Sequence, residues 1–364
     1  MPQINAPVAS VDLRALVANY RILCDRARPA GIVAAVKANA YGLGMAPVAQ
    51  TLFRHGCRGF FTAYFDEALA LRAALPWATV AVLHGLAPSQ LDEALARGIV
   101  PVINDLGALE AWQACARRRG EQLAAFVHLD TGMNRLGLAP REQEILVAEP
   151  TRLDGVAIAA WMSHLACADQ ADHPKNPQQR AAFAALLARL PKAPASLANS
   201  SGIFLGHEYV FDLARPGAAL YGINPTPERA NPMQDVVTLR APILQVRSIT
   251  ATMTVGYGAT YAAAGPTRVA TLAFGYADGW HRVLGNTGHA RLGDYLTPLI
   301  GRVAMDLVAV DVTAVPEAVA HPGAMVELIG SHRSVDQVAA DAGTIGYEIL
   351  TSLGPRIARV YEQA

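Results

Sequence analysis

The chain has 364 residues, more than a single hydrophobic core usually spans, so its length predicts either one large barrel or two domains. Hydrophobic residues make up 52% of the chain and charged residues 16%, which excludes a disordered protein. Thirty basic residues balance thirty acidic ones without any block of like charge, which favours neither a nucleic acid nor a membrane as a partner. We therefore expect a globular protein that acts on a small molecule.

The N-terminal residues and the cysteines together predict a cytoplasmic protein. The first twenty residues lack the basic start and long apolar core of a signal peptide, and no run of eighteen apolar residues occurs. The four cysteines are widely spaced, without a C-x-x-C pair, which favours reduced thiols. The ten histidines show no metal-ligand spacing, so we expect no metal site.

Short apolar runs alternate with helical patterns from residue 30 to residue 222. Between the runs, segments such as DEALALRAALP and PQQRAAFAALLARL have the apolar spacing of amphipathic helices. Eight strands that alternate with helices are typical of a (β/α)8 barrel. The eight strand candidates are GIVAAVK, GFFTAY, TVAVLHG, GIVPVIN, LAAFVHLD, GVAIAAWMSH, ASLANS and RPGAALYG.

An open doubly wound sheet is the alternative to the barrel. Such a sheet usually carries a glycine-rich dinucleotide or phosphate turn after its first strand. Neither G-x-G-x-x-G nor G-x-x-x-x-G-K-[ST] occurs in the sequence. We therefore favour the α/β class with a (β/α)8 barrel of the TIM type.

The pattern changes after residue 224. A polar, proline-rich segment, NPTPERANP, is followed by strand-like runs that include LRAPILQVRSIT, TRVATLAF and AMVELIG. A helical pair near VDQVAADAG and GYEILTSLG comes before the last strand candidate, RIARVY. We predict a barrel domain over residues 1–230 and a mostly β domain over residues 231–364.

Polar side chains end the apolar runs, and active sites of such barrels lie at the carboxyl ends of the strands. Taken singly, each of these residues could simply mark the exposed end of a strand. Together they predict an active site at one end of the barrel. They are Lys37, His84, Asn104, His128, Asp130, His164, Asn199 and Ser200, with Arg215 opening the eighth run.

Lys37 indicates the chemistry of this site. A lysine that is desolvated on one side has a lowered pKa and is a better nucleophile toward aldehydes, as a Schiff base requires. Tyr41 follows it closely, and Ser200, Gly217 and Ala218 lie near the last two strands, where barrels of this type commonly bind a phosphate. A Schiff-base lysine with a phosphate site matches the needs of pyridoxal 5'-phosphate (PLP).

At this point the sequence resembles the alanine racemase family over nearly its whole length. The shared segments are AVKANAYGLG, HLDTGMNRLGL, MSHLACAD, LANSSG, ARPGAALYG, VGYGATY, FGYADG, GRVAMD and GTIGYE. The resemblance implies a PLP enzyme that interconverts L-alanine and D-alanine. It also implies a homodimer whose active sites are shared between subunits.

The resemblance implies two catalytic bases. Lys37 would hold PLP and exchange a proton on one face of the substrate, and Tyr257 of the partner subunit would act on the opposite face. Arg215 would hydrogen-bond the pyridine nitrogen and, because an arginine keeps its proton, leave that nitrogen unprotonated. The remaining cofactor contacts would come from Tyr41, His164, Asn199, Ser200, Gly217, Ala218 and Tyr347, and the substrate contacts from Arg135, Met305, Asp306 and Tyr276.

The sequence departs from the family's commonest pattern at two positions. His128 stands where many members have a carbamylated lysine that orients the substrate-binding arginine, here Arg135. Since histidine cannot form that carbamate, either a neutral His128, a water or an anion such as chloride orients Arg135, or the orientation of Arg135 is looser. Ser196 stands where a histidine usually lies beside the ring-nitrogen arginine, so support for Arg215 is expected to be weaker.

Three competing functions follow from the same residues. Asp-Thr-Gly in HLDTG is the signature of aspartic proteases, but we reject that function because no second aspartate motif occurs. A PLP-binding barrel without catalysis would not need a β domain with Tyr257. A PLP amino-acid decarboxylase would be expected to have a carboxylate at the ring nitrogen, in the place of Arg215. The sequence leaves open whether serine is also a substrate, and whether the enzyme serves peptidoglycan synthesis or alanine catabolism.

Overall fold

The computed structural model describes residues 6–363, which form two large sheets and a small hairpin. Residues 1–5 and 364, at the outer ends of the two predicted domains, lie outside the described residues. The strands are β1 (Val8–Asp12), β2 (Gly31–Ala35), β3 (Gly59–Thr62), β4 (Thr79–Val82), β5 (Ile99–Ile103), β6 (Leu123–His128), β7 (Val156–Met162), β8 (Ala195–Ser196), β9 (Leu213–Ala214), β10 (Val237–Ile249), β11 (Thr254–Val255), β12 (Tyr261–Ala262), β13 (Thr267–Leu272), β14 (His289–Leu292), β15 (Tyr295–Pro298), β16 (Val308–Asp311), β17 (Met325–Ile329) and β18 (Ala358–Glu362).

Helices separate most of the strands of the first sheet and are rare beyond it. Each amphipathic segment predicted between residues 66 and 190 contains helical residues: DEALALRAALP, PSQLDEALARG, GALEAWQACARRR and PQQRAAFAALLARL. The helices are α1 (Leu13–Ala27), α2 (Lys37–Tyr41), α3 (Met45–Arg54), α4 (Phe65–Ala74), α5 (Leu91–Arg97), α6 (Leu106–Arg119), α7 (Pro140–Ala148), α8 (Lys175–Leu187), α9 (Val335–Asp341) and α10 (Gly346–Thr351).

The first sheet is the predicted barrel. Its parallel strands lie in the order β8-β7-β6-β5-β4-β3-β2-β9, and β8 and β9 meet where Asp212 N–H donates to Ala195 O over 2.9 Å. Alternate side chains of the strands point inward and fill the barrel, because a barrel of eight strands has just enough room for them. This inner cluster is Val33, Phe61, Ala81, Val102, Phe126, Ala160 and Met162, all of them buried.

The eighth strand differs from the prediction. The expected run was RPGAALYG, whereas β9 is Leu213–Ala214 and residues 218–221 form a 3-10 turn that ends at Gly222, with φ of 89°. Pro216 cannot donate to a strand ladder, and a short apolar run such as AALY is compatible with either a strand or a buried turn. Likewise, Lys37 does not end the first strand: β2 stops at Ala35 and Lys37 begins the next turn.

The second sheet confirms the mostly β character of the C-terminal region. Its main path runs β15-β14-β17-β10-β1-β18, and β13 pairs with both β10 and β16. The N-terminal strand β1 lies in this sheet, antiparallel to β10 and parallel to β18, whereas the sequence analysis grouped residues 1–230 with the barrel. The residues VASVD carry no pattern that indicates pairing with strands so distant in the sequence.

The C-terminal segment packs on the barrel mouth and fixes the loop that follows α2. Arg359 Nε donates to Gly42 O over 3.1 Å, and the Tyr361 hydroxyl donates to Leu43 O over 3.1 Å. Just upstream, the Tyr347 ring of α10 lies 6.0 Å from the Tyr41 ring. The second domain therefore contributes three side chains to this end of the barrel.

No helix within residues 6–363 is both long and apolar enough to cross a membrane. The same residues contain no group of three or more His, Cys, Asp or Glu side chains placed to hold a metal ion.

Candidate active site

Lys37 opens a left-handed turn at the mouth of the barrel. The next four residues, none of them glycine, have φ between 52° and 55°. Each such residue costs roughly 1–2 kcal/mol relative to the right-handed conformation, so the turn needs support from its surroundings. That support includes the Ala38 N–H donating to Glu67 Oε1 over 2.6 Å, and Gly42 N–H donating to Ala38 O over 2.8 Å.

The surroundings of Lys37 favour its neutral amine. Burial lowers the pKa of Lys37, and the positive charge of Arg135 lowers it further, while the carboxylate of Glu67 opposes both effects. A larger fraction of neutral amine at a given pH makes the nitrogen a better nucleophile and a better base. The lysine thus has the property that its position in the sequence predicted.

Tyr41, Ser200 and Gly217 come together beside this turn. The Ser200 hydroxyl accepts the N–H groups of Gly217 at 3.0 Å and of Ala219 at 3.2 Å, which leaves its own hydrogen free to donate. A Cβ atom on Gly217 would lie 2.3 Å from the Tyr41 hydroxyl oxygen, so only glycine fits there. The three residues, with Ala218 in the same 3-10 turn, form a compact group of hydrogen-bond donors.

Tyr41 is held between two other tyrosine rings. Its ring centroid lies 4.6 Å from that of Tyr221 and 6.0 Å from that of Tyr347. Burial raises the pKa of Tyr41 above its usual value and raises that of Tyr347 to about 12. Both hydroxyls therefore keep their protons at neutral pH and can donate to an anion.

Arg215 is a buried cation that is held by neutral groups. Its guanidinium donates to Ser196 Oγ and to Ser163 O, and it lies 3.3 Å from His164 Nδ1. Ser196 in turn donates to Leu213 O over 2.6 Å. Ser196 therefore contacts Arg215 directly.

The charge states of Arg215 and His164 follow from burial. Burial lowers the pKa of Arg215 to about 10, so the guanidinium still carries its proton at neutral pH. Burial and the charge of Arg215 lower the pKa of His164 well below its usual value, so this imidazole is neutral. A ring placed beside these two residues would meet a donor and an uncharged flat surface.

His128 is fixed as a neutral imidazole in one tautomer. Asn104 uses its amide nitrogen to donate to Leu83 O at 3.0 Å and Val102 O at 3.3 Å, which turns its Oδ1 toward His128 Nδ1 at 2.9 Å. Nδ1 therefore carries the hydrogen and Nε2 has a free lone pair. Burial and the charges of Arg215 and Arg135 lower the pKa of His128 to about 4.

Asp130 organises the loop that carries Arg135. Its carboxylate accepts N–H groups from Gly132 at 2.9 Å, Met133 at 2.9 Å and Asn134 at 3.0 Å. Arg135 itself is exposed. The Asp-Thr-Gly triplet thus serves a turn.

Asn199 lies at the end of β8 but uses its side chain locally. Its Oδ1 accepts the N–H of Gly202 over 2.9 Å, at the start of a 3-10 turn over residues 201–204. This contact fixes the segment that presents Ser200. The family resemblance had implied that Asn199 contacts the cofactor.

The other predicted site residues lie on the second domain and are open to solvent. Tyr257 stands between β11 and β12 and is 72% exposed, and its hydroxyl forms no hydrogen bond with residues 6–363. Tyr276 and Met305 lie in adjoining loops, which are joined by Tyr276 N–H donating to Ala304 O over 3.0 Å. Asp306 pairs with Arg356 over 2.7 Å. Among residues 6–363, no hydrogen bond or ion pair joins these four residues to the barrel mouth of their own chain.

Four residues of the barrel mouth make contacts that the sequence did not predict. A single sequence shows no recognisable pattern for a carboxylate that contacts a turn 29 residues away. It also shows none for a serine backbone carbonyl that accepts a hydrogen bond from an arginine. Asn104 was recognised as a strand end, but its effect on His128 depends on a side-chain orientation. These residues are Glu67, Asn104, Ser163 and Tyr221.

Two family models together span most of the chain. The model described as "Alanine racemase, N-terminal domain" matches residues 11–225, and the one described as "Alanine racemase, C-terminal domain" matches residues 236–361. The junction between the two matches lies near the predicted boundary at residue 230.

Individual relatives match over nearly their whole lengths. A protein of Mesorhizobium japonicum named "Alanine racemase, catabolic" is 50% identical over 355 residues, covering 97% of this chain and 93% of the relative. An alanine racemase of Acidiphilium cryptum is 50% identical over 360 residues, covering 98% of this chain and 99% of the relative. The crystal structure of alanine racemase from Bartonella henselae with covalently bound pyridoxal phosphate superimposes with a TM-score of 0.94 at 41% identity, covering 98% of this chain and 99% of that one.

Proposed function

Because the chain belongs to the alanine racemase family, we propose that Lys37 and Tyr257 act on opposite faces of alanine, where one removes the Cα proton and the other delivers a proton to Cα. The chain is a PLP-dependent isomerase that acts on alanine. One observation supports the two-base course most directly. Lys37 is half-buried at the barrel mouth, where its pKa is lowered, while Tyr257 lies on the second domain and is exposed.

The residues of the barrel mouth fit PLP. Glycine at position 217 leaves room beside the Tyr41 hydroxyl that any Cβ would fill, and Ser200 has a hydrogen to donate. We propose that these residues, with the Ala218 N–H and Tyr347, hold the phosphate, because neutral donors suit an anion. When bound, PLP supplies an electron sink that makes the Cα proton of the amino acid removable.

Arg215, His164 and Asn199 are proposed to orient the ring of the cofactor. Arg215 keeps its proton, so it can only donate to the ring nitrogen, and that nitrogen stays without a proton of its own. His164 is neutral and lies half-buried beside Arg215, which suits packing against a flat ring. Asn199 holds the Ser200 segment through its contact with Gly202.

Lys37 is proposed to take or return the proton on its own face of the substrate. Its lowered pKa leaves more of the amine free to accept a proton near neutral pH. Arg135 and the Met305 N–H, with Asp306 beside it, are proposed to bind the substrate carboxylate. In this arrangement Arg135 is oriented by the free lone pair of His128, without a carbamate.

Tyr257 is proposed to act in the active site of a second copy of the chain. A catalytic tyrosine that is 72% exposed must be covered before it can work in a dry site, and the barrel mouth of a partner would cover it. The same contact would bring Met305 and Tyr276, which are 54% and 44% exposed, to the entrance of that site. We therefore propose a homodimer with shared active sites.

The size of the site favours a small amino acid. Tyr257, Tyr276 and Tyr347 would together leave little room for a side chain. One extra methylene or hydroxyl in such a pocket changes discrimination by only about 1–3 kcal/mol, so slow turnover of serine is expected.

Racemisation in D2O tests this proposal. The PLP-loaded protein is incubated with L-alanine, and the Cα proton signal and the optical rotation are followed together. Loss of both is expected. Loss of the proton with retained rotation would leave Lys37 as a base but exclude Tyr257, and no change in either would exclude the proposed function.

A further inference from the structure

Glu67 lies outside the residues that hold the cofactor or the substrate, yet its carboxylate contacts the turn that carries Lys37. Its Oε1 accepts the N–H of Ala38 over 2.6 Å. Its Oε2 accepts the N–H of Ala63 over 2.8 Å and that of Tyr64 over 3.3 Å. One side chain of α4 thus joins the end of β3 to the residue that follows Lys37.

Helix capping accounts for only part of this arrangement. Glu67 is the third residue of α4, and its contact with the Tyr64 N–H is that of a capping box. The contact with Ala38 is shorter than either contact made by Oε2, and it reaches a segment 29 residues earlier in the chain. Capping does not require that contact, so a second role is needed to explain it.

The Ala38 N–H lies at the start of the strained turn. Ala38 is the first of the four consecutive residues with positive φ, and Lys37 is the residue just before it. A carboxylate acceptor gives a charge-assisted hydrogen bond, which is stronger than one to a neutral acceptor. At the other end of the turn, Asn39 Oδ1 accepts the Met45 N–H over 2.8 Å. Glu67 therefore determines where the turn begins and, with it, the direction of Lys37.

Glu67 also supplies negative charge near the lysine nitrogen. The charged and titratable groups that face Lys37 are Glu67 from α4, Arg135 from the loop after β6, and His164 after β7. Arg135 repels a proton on Lys37, and His164 is neutral because its pKa is lowered by burial. Of these three groups, Glu67 is the one that stabilises the protonated nitrogen.

We propose that Glu67 is a positioning residue for Lys37, one that fixes the start of the left-handed turn through the Ala38 N–H and stabilises positive charge on the lysine nitrogen. The inference rests on the proposed function, because it assigns the purpose of the contact to the proton exchange at Lys37. Both effects need a carboxylate. Its charge stabilises the protonated lysine, and its two oxygen atoms accept from two sets of donors, whereas an amide is uncharged and has one accepting atom.

The test compares the holoenzyme of Glu67→Gln with that of Asp66→Asn. Glutamine still serves a capping box, so the first variant removes the charge and one acceptor while keeping the helix start. Asp66 is the exposed neighbour in the same helical turn, so the second variant removes an equal charge without touching Ala38. Thermal unfolding of both variants checks that they are folded.

Three readouts are expected to change in Glu67→Gln and to stay unchanged in Asp66→Asn. Backbone amides in the peptide over residues 37–44 should exchange with deuterium about tenfold faster, because the turn loses its anchor. The pH midpoint of the cofactor absorbance change that reports loss of the proton at the Lys37 nitrogen should fall. The kcat for L-alanine should fall about tenfold while KM changes less than about twofold.

Unchanged exchange over residues 37–44, or an unmoved absorbance midpoint, in a folded Glu67→Gln holoenzyme would overturn the inference. If that variant does not fold, Glu67→Asp replaces it: the charge stays but the shorter side chain cannot span both sets of donors, so faster exchange is again expected. The exchange measurement does not depend on turnover. Failure of the wild-type protein to racemise alanine would therefore exclude the proposed function. The exchange measurement would still test the contact between Glu67 and Ala38.

Discussion

Tyr41 and Tyr257 are tyrosines of one proposed active site in opposite surroundings. Tyr41 is 7% exposed, packs between two other tyrosine rings and lies against Gly217, whereas Tyr257 is 72% exposed and contacts little of its own chain. One chain alone forms the buried surroundings of Tyr41, whereas it leaves Tyr257 open to solvent. The difference teaches that, in the proposed homodimer, cofactor binding would need one chain and proton exchange would need two.

The largest expected effect comes from the barrel mouth. Replacing Lys37 by alanine should lower the racemisation rate by at least about a thousandfold, because the proposed base and cofactor anchor are lost together. The rate is measured with L-alanine, and borohydride reduction followed by peptide mapping should no longer fix PLP at residue 37. Lys192→Ala, at an exposed loop lysine, is the matched control and should behave as wild type.

The second-domain face should give a different defect. Tyr257→Phe is expected to lower racemisation about a hundredfold or more while the cofactor absorbance stays as in wild type, since the barrel mouth remains intact. Tyr295→Phe, at another exposed tyrosine, is the control. A loss of bound PLP in Tyr257→Phe would contradict the separation of the two regions.

Mixing the two inactive variants tests whether the regions act across subunits. In a symmetric dimer, random pairing of Lys37→Ala with Tyr257→Phe makes half the dimers mixed, each with one intact site, so about a quarter of wild-type activity should return. Activity is measured after dissociation and reassociation of the mixture. If the mixture stays inactive although mixed dimers form, both bases belong to one chain.

A smaller effect is expected from crowding the donor group of the barrel mouth. Gly217→Ala places a Cβ 2.3 Å from the Tyr41 hydroxyl oxygen, and such overpacking costs about 1–3 kcal/mol, so PLP should bind roughly ten- to a hundredfold more weakly. The binding constant is measured by fluorescence titration. Gly265→Ala, where a Cβ meets nothing within 4 Å, should not alter it.

The smallest effect concerns bicarbonate, for which no response is expected. His128 cannot form a carbamate, and its contact with Asn104 already leaves Nε2 free to accept a hydrogen bond. Activity of the enzyme after removal of CO2 is compared with activity after bicarbonate is added back. Recovery of lost activity by bicarbonate would show that another amine in the site is modified.

Much of the barrel and its mouth was predictable because both follow from local patterns. Seven of the eight expected runs contain a strand of the first sheet, and polar residues after parallel strands must gather at one end of it. The eighth run differed because AALY is short and apolar, a pattern that cannot tell a strand from a buried turn.

The features that were missed depend on contacts between distant parts of the chain. No propensity predicts four consecutive positive φ values, since alanine avoids them and asparagine adopts them only as a single residue. Within the fold, the turn is contacted by Glu67, and the ring of Tyr41 is packed against other tyrosines. The tautomer of His128 likewise depends on how Asn104 is turned by two carbonyls.

The pairing of β1 with β18 has a consequence for the order of folding. Val8 lies opposite Ala358, and contacts between positions so far apart along the chain form slowly. The side chains that hold the loop after α2, Arg359 and Tyr361, belong to the same strand β18. We therefore expect the loop beside Lys37 to reach its final form only after β18 has joined the second sheet.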